Sequence, residues 1–200
     1  MPHECSHFHG RIGHSGAKLG SWALGVVALA AVAASIWAVP GLPGMQGAAL
    51  ALLMGAVSIV DARRFIIPNR LTAAALALAL ANAATQNREA PLEGILDSLL
   101  RGAVLAGAFL AVREVHHRLR KREGIGLGDV KLAGVAGAWL GWTAMPIAVE
   151  VAALTGIAAY ALRQFISGRP LHATGRIPFG LFLAPSIWLC WLLEALWFNS

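Results

Sequence analysis

Hydrophobic residues run through the chain in long blocks separated by short polar breaks. Apolar runs fall at about 21–39, 45–62, 71–86, 95–115, 129–145, 146–166 and 177–198. Several approach the ~20 residues that an α-helix needs to cross the hydrocarbon of a bilayer. A helix satisfies its backbone polar groups within itself, which is the condition for a single segment to cross lipid. The pattern therefore predicts an all-α bundle of about seven transmembrane helices. Pro40, Gly41, Pro43 and Gly44 break the first run from the second, Pro68 opens the turn into the third, and Gly141 with Pro146 divides the fifth from the sixth. The first run is long for a signal-peptide core and ends in no Ala-x-Ala site, so it reads as a retained helix. Residues 1–20 are polar and read as a flexible N-terminal tail, leaving 21–200 as one membrane domain.

Composition sharpens this picture. With 58% hydrophobic and 13% charged residues, and a mean hydropathy of +0.66, the chain lacks the charge to cover a soluble surface. Its net charge of +6 would suggest nucleic acid in a soluble protein, but here the basic residues lie between apolar runs and orient the helices instead. With the N-terminus cytoplasmic and the C-terminus outside, Arg11, Lys18, Arg63, Arg64, Arg70, Arg113, Arg118, Arg120, Lys121, Arg122, Lys131, Arg163, Arg169 and Arg176 fall inside. Only Arg88 and Arg101 fall outside, so 14 of 16 basic residues share one face. His3, Cys5, His7, His9 and His14 are types that ligate metals, yet no helix or strand period fixes their geometry, and no metal site is expected. Cys5 and Cys190 form no Cys-x-x-Cys pair.

The chain has three aspartates. Asp61 closes the second run in Asp61-Ala62-Arg63-Arg64-Phe65-Ile66-Ile67-Pro68-Asn69, and Asp129 opens the fifth in Gly126-Leu127-Gly128-Asp129-Val130-Lys131. Both fall at the cytoplasmic edge, where an ionisable group marks a functional candidate. Taken singly, Asp61 could pair with Arg63 or Arg64, and Asp129 could cap its helix. Taken together, two carboxylates at one depth suit hydrolysis. One takes a proton from water while the other, protonated, polarises a carbonyl, and such a pair shares a proton. Helix dipoles alone would disfavour charge on Asp61, near a helix C-terminus, and favour it on Asp129, at an N-terminus. Gly126 and Gly128 would let the backbone turn tightly beside a substrate, Lys131 would face headgroups or substrate, and Pro178 with Gly180 would bend the last helix. Asp97 reads as a helix N-cap, and His116 and His117 fall in a basic loop. Glu150 lies near the outer end of the sixth run.

Asp61 followed after five residues by Ile67-Pro68-Asn69 resembles the first aspartate motif of type IV prepilin peptidases. Gly126-Leu127-Gly128-Asp129 resembles that family's Gly-x-Gly-Asp motif, with Ala138-Trp139-Leu140-Gly141 following. Ile177-Pro178-Phe179-Gly180, with Phe182-Leu183-Ala184, is similar to its last-helix signature. The resemblance implies a multi-pass aspartic endopeptidase of the bacterial inner membrane, with Asp61 and Asp129 as the catalytic pair and no cofactor. Its partners would be the bilayer and a prepilin or pseudopilin whose leader is cut at the cytoplasmic face. Larger members carry an N-terminal domain with two Cys-x-x-Cys pairs, linked to N-methylation. This chain has neither pair, so the resemblance implies the shorter form without that module. A presenilin-type peptidase would place Tyr before its first aspartate, where Val60 stands. A small proton- or ion-coupled transporter and a non-catalytic pilus assembly factor are the other readings of carboxylates in such a bundle.

Overall fold

The computed structural model describes residues 13–120, 126–167 and 178–199, and among them every regular element is a helix. In chain order these are α1 (Gly13–Ala38), α2 (Leu42–Arg64), α3 (Asn69–Gln86), α4 (Pro91–Arg120), α5 (Leu127–Trp139), α6 (Ala144–Ser167) and α7 (Phe179–Asn199). The chain is an all-α membrane helix bundle. Of its helices, α2, α4, α6 and α7 are long and apolar enough to cross a membrane, and α1 carries a shorter apolar segment, Leu24–Ala38.

Alanine and glycine set the packing. Ala75, Ala79, Ala133, Ala136, Ala148, Ala152 and Ala184 are buried, which lets backbones approach as they do between helices in lipid. Most leucines of α4 and α6 instead face outward, with Leu110 and Leu154 exposed, as is Phe165. This inversion suits a bilayer, where outside is as apolar as inside. One close backbone approach lies between α4 and α5. A Cβ on Gly137 would run into the backbone of Arg101 and Gly102, and one on Gly102 would sit 2.8 Å from the Gly134 carbonyl. Gly137→Ala should therefore push the two helices apart at a cost of about 1–3 kcal/mol, seen as earlier thermal unfolding in detergent.

α5 has only 13 residues, about 20 Å at 1.5 Å per residue. It runs through the middle of the bundle, its residues Leu132, Ala133 and Val135–Leu140 all buried. Its C-terminal carbonyls would be orphaned there, and α4 supplies the partners. Ser98 Oγ donates to the Ala138 carbonyl at 2.8 Å, and Arg101 Nε to the Gly137 carbonyl at 3.3 Å. Trp139 Nε1 donates to the Ala75 carbonyl of α3 at 3.0 Å and its ring meets Trp191 of α7 edge-on, centroids 6.4 Å apart. α5 is thus held from three sides, which places its N-terminus.

Several boundaries differ from the hydrophobic runs. α1 begins at Gly13, so it takes in residues 13–20 of the expected tail; residues 1–12, with His3, Cys5, His7 and His9, lie outside the described residues. α4 extends to Arg120 because its polar last turns pair within themselves, Glu114 with Arg118 at 2.6 Å. His116 and His117 are consequently helical rather than in a loop. Asp97 is no N-cap: it lies in the second turn of α4 and pairs with Arg101. The expected fifth run of 129–145 stops at Trp139, where Leu140 turns extended, φ −98° and ψ 150°.

Candidate active site

The α2–α3 connection forms the floor of the site. α2 ends at Arg64, and Phe65 turns the chain in the left-handed region at φ 53° and ψ 34°, the one non-glycine residue there among those described. Phe65 and Ile66 are exposed, while Ile67 turns inward and is buried. Pro68 then takes the extended N-cap position of α3, where its missing N–H costs nothing, and Asn69 is the first helical residue. The left-handed turn strains a residue with a Cβ by roughly 1 kcal/mol. Phe65→Gly should accordingly stabilise the fold by about that amount, read as a higher unfolding midpoint.

Ile67 is the joint between the three motif segments. A Cβ on Gly128 would lie 3.0 Å from Ile67 Cβ, and one on Gly180 would lie 2.8 Å from Ile67 Cδ1. Gly128 thus makes room for a neighbouring side chain inside the first turn of α5, rather than a tight turn as expected. Gly126, at φ −72° and ψ 150°, is ordinary extended backbone as the N-cap of α5. Pro178 and Gly180 do not bend the last helix: Pro178 precedes α7, Gly180 lies in its first turn, and the proline inside the helix is Pro185.

Asp61 is buried at 4% exposure, in the last turn of α2. Its Oδ2 accepts the Leu181 N–H at 2.9 Å, with the Gly180 N–H also on the carboxylate. Its partner is therefore the start of α7, and Arg63 and Arg64 are exposed. Asp129 stands at the third residue of α5, not at its cap, and its Oδ2 accepts the Gly126 N–H at 3.3 Å. The two carboxylates are near enough to feel each other's charge. The dipole contrast expected from sequence is also altered. Each carboxylate meets a helix N-terminus, Asp129 that of α5 and Asp61 that of α7, so α2's C-terminal field is not the only one acting on Asp61.

Lys131 Nζ donates to Asn69 Oδ1 at 2.8 Å, joining α5 to the start of α3. An apolar groove of about 470 Å³ between α3, α4 and α5 ends at these two residues, with Thr72, Leu76, Gly102 and Gly134 along its walls. The sequence named Ile67 only within the Ile67-Pro68-Asn69 motif, without a role, and did not point to the Leu181 N–H. A signal for the conformation of Ile67 is its place before Pro68, which biases it toward extended backbone.

The sequence model of the type IV leader peptidase family matches residues 48–161, from the second turn of α2 almost to the end of α6. The chain belongs to this leader peptidase family. The family resemblance is thereby borne out, with the Asp61 and Asp129 motifs inside the matched residues and the 177–184 motif beyond them. A prepilin leader peptidase/N-methyltransferase of Burkholderia pseudomallei is 35% identical over 182 residues, covering 88% of this chain and 56% of that protein. Another, of Aeromonas hydrophila, is 29% identical over 178 residues, 84% of this chain and 56% of that protein. The leader peptidase HopD of Escherichia coli is 32% identical over 125 residues, 62% of this chain and 77% of that protein. This family member spans about half the length of the prepilin leader peptidase/N-methyltransferases it matches. No solved structure matches it significantly.

Proposed function

We propose that the chain is an aspartic endopeptidase that removes the leader from prepilin-like or pseudopilin substrates at the cytoplasmic face of the bacterial inner membrane. The observation that carries this reading is the meeting of Asp61 and Asp129 at one end of the bundle, each hydrogen-bonded to the start of a helix. Membership of the leader peptidase family supports it. In this reading residues 21–200 form the peptidase domain, the seven helices make up the membrane bundle with the 13-residue α5 enclosed by longer ones, and the basic residues near the aspartates hold that end inside.

The chemistry follows from the pair. Water lies between the carboxylates. The ionised one takes its proton as the oxygen attacks the scissile carbonyl carbon, while the protonated one donates to the carbonyl oxygen. Collapse of the tetrahedral adduct breaks the C–N bond; the proton taken from water passes to the leaving amine, and the proton lent to the carbonyl oxygen returns to its carboxylate as the C=O re-forms. No covalent intermediate, metal or cofactor is required. The groove ending at Asn69 and Lys131 is where the apolar segment of the substrate lies, and Gly126, Gly128, Pro68, Pro178 and Gly180, outside that groove, shape the floor beside the reacting bond.

The test is direct. Purified protein in detergent is incubated with a prepilin-like substrate, and mass spectrometry follows the appearance of the free leader and the mature chain. Leader removal is expected at a single bond, and the mass of the mature chain also reports whether its N-terminus is methylated. An intact substrate after prolonged incubation with folded protein would leave the assembly-factor reading in its place.

A further inference from the structure

At the end of the bundle opposite the aspartates lies a second polar site. A cavity of about 640 Å³ opens among the last turns of α3, α5 and α7 and the first turns of α4. Its size is that of a small-ligand pocket. Asn82 lines it, 8% exposed, with its Oδ1 lacking any hydrogen-bond partner. Glu194 reaches it from α7, one carboxylate oxygen accepting the Gly141 N–H at 3.3 Å. Arg101 enters from α4, its guanidinium bonded to Asp97 and to the Gly137 carbonyl. Arg101 and Glu194 feel each other's charge, yet each takes a different direct partner. Trp139 and Trp191 wall the cavity, and Leu92 and Leu96, four residues apart on α4, are exposed.

These groups specify their occupant. The orphaned Asn82 oxygen and the remaining Glu194 oxygen call for a positively charged group with several N–H donors. Arg101 already pairs with Asp97, which also lines the cavity, and its guanidinium keeps further N–H groups that can donate to a second anion. Leaving an acceptor buried without a partner is costly, and opposite charges held apart at a bilayer edge mark a binding site. Tryptophans at that level suit the junction of headgroup and chain. We infer that the cavity binds the head group of a phosphatidylethanolamine-type lipid, its ammonium on Glu194 and Asn82 and its phosphate on Arg101, with the acyl chains along Leu92 and Leu96. A choline head group carries no N–H for the two acceptors, and a glycerol one brings an anion to Glu194 without a cation.

The inference stands apart from the peptidase reading, and its test reads lipid retention alone. The full chain is purified in detergent and titrated with ethanolamine, choline and glycerol phospholipids of identical acyl chains, and bound lipid is counted by native mass spectrometry. The ethanolamine lipid should be held about tenfold more tightly than the choline lipid, the worth of one charge-assisted hydrogen bond. Glu194→Gln keeps an acceptor for the Gly141 N–H and should erase that preference. Asn82→Leu should reduce it as well, and serves alone if Glu194→Gln fails to fold by thermal unfolding. Equal retention of the ethanolamine and choline lipids, or a preference that survives both substitutions, overturns the site. Free phosphoethanolamine protecting delipidated protein as well as the lipid does would overturn the lipid as its source.

Discussion

Asp129→Asn is expected to slow leader removal by about a thousandfold, within the range by which a positioned proton-transfer group accelerates a reaction, while the protein stays folded. Asparagine has the same shape, and its Oδ1 still accepts the Gly126 N–H that Asp129 accepts now at 3.3 Å. The start of α5 therefore keeps its hydrogen bond. What disappears is the ability to take a proton from water. Asp61→Asn should behave alike, since its amide oxygen still accepts the Leu181 N–H. Because the two carboxylates act as one unit, the double variant should be about as slow as either single one, rather than slower by the product of the two effects. Time courses of leader release by mass spectrometry, with unfolding midpoints on the same preparations, measure both quantities. A single variant retaining a tenth of the normal rate would rule out the paired mechanism.

The parts of this arrangement that could be read from sequence are those governed by local composition. Long runs of Ala, Leu and Val announced helices in lipid, and Pro68 marked a true turn because its ring and absent N–H act on the residues beside it. Asp61 and Asp129 stood out because a carboxylate is costly in such surroundings. Helix ends were less legible. Polar residues at the end of α4 looked like a loop, yet the Glu114–Arg118 pair keeps that turn helical. The glycines were legible as special but not in their reason. Gly128 and Gly180 both yield space to Ile67, a contact among α5, α7 and the α2–α3 turn that no local pattern encodes. The Asp61–Leu181 hydrogen bond joins residues 120 apart, and the Gly141–Glu194 hydrogen bond at the other end is also remote in sequence.

That contact yields the second large effect. Gly180→Ala should lower the rate of leader removal by about a hundredfold, the loss expected when a catalytic group is displaced by roughly 1 Å. The new Cβ would sit 2.9 Å from Asp61 Oδ2 and 2.8 Å from Ile67 Cδ1, closer than van der Waals contact allows on both sides. Ile67 Cδ1 is the end of a flexible side chain and can give way, whereas the Asp61 carboxylate is tied to the Leu181 N–H at 2.9 Å. The Asp61 carboxylate must then swing off the start of α7 and away from its partner aspartate. Gly128→Ala presses on Ile67 and not on Asp61, so it should cost less, about tenfold. Combining Gly180→Ala with Ile67→Val removes the Cδ1 contact and leaves the carboxylate contact in place. That double variant should recover stability, seen as a restored unfolding midpoint, and little activity. Full recovery of activity in it would show that Ile67, and not the position of Asp61, is what Gly180 protects.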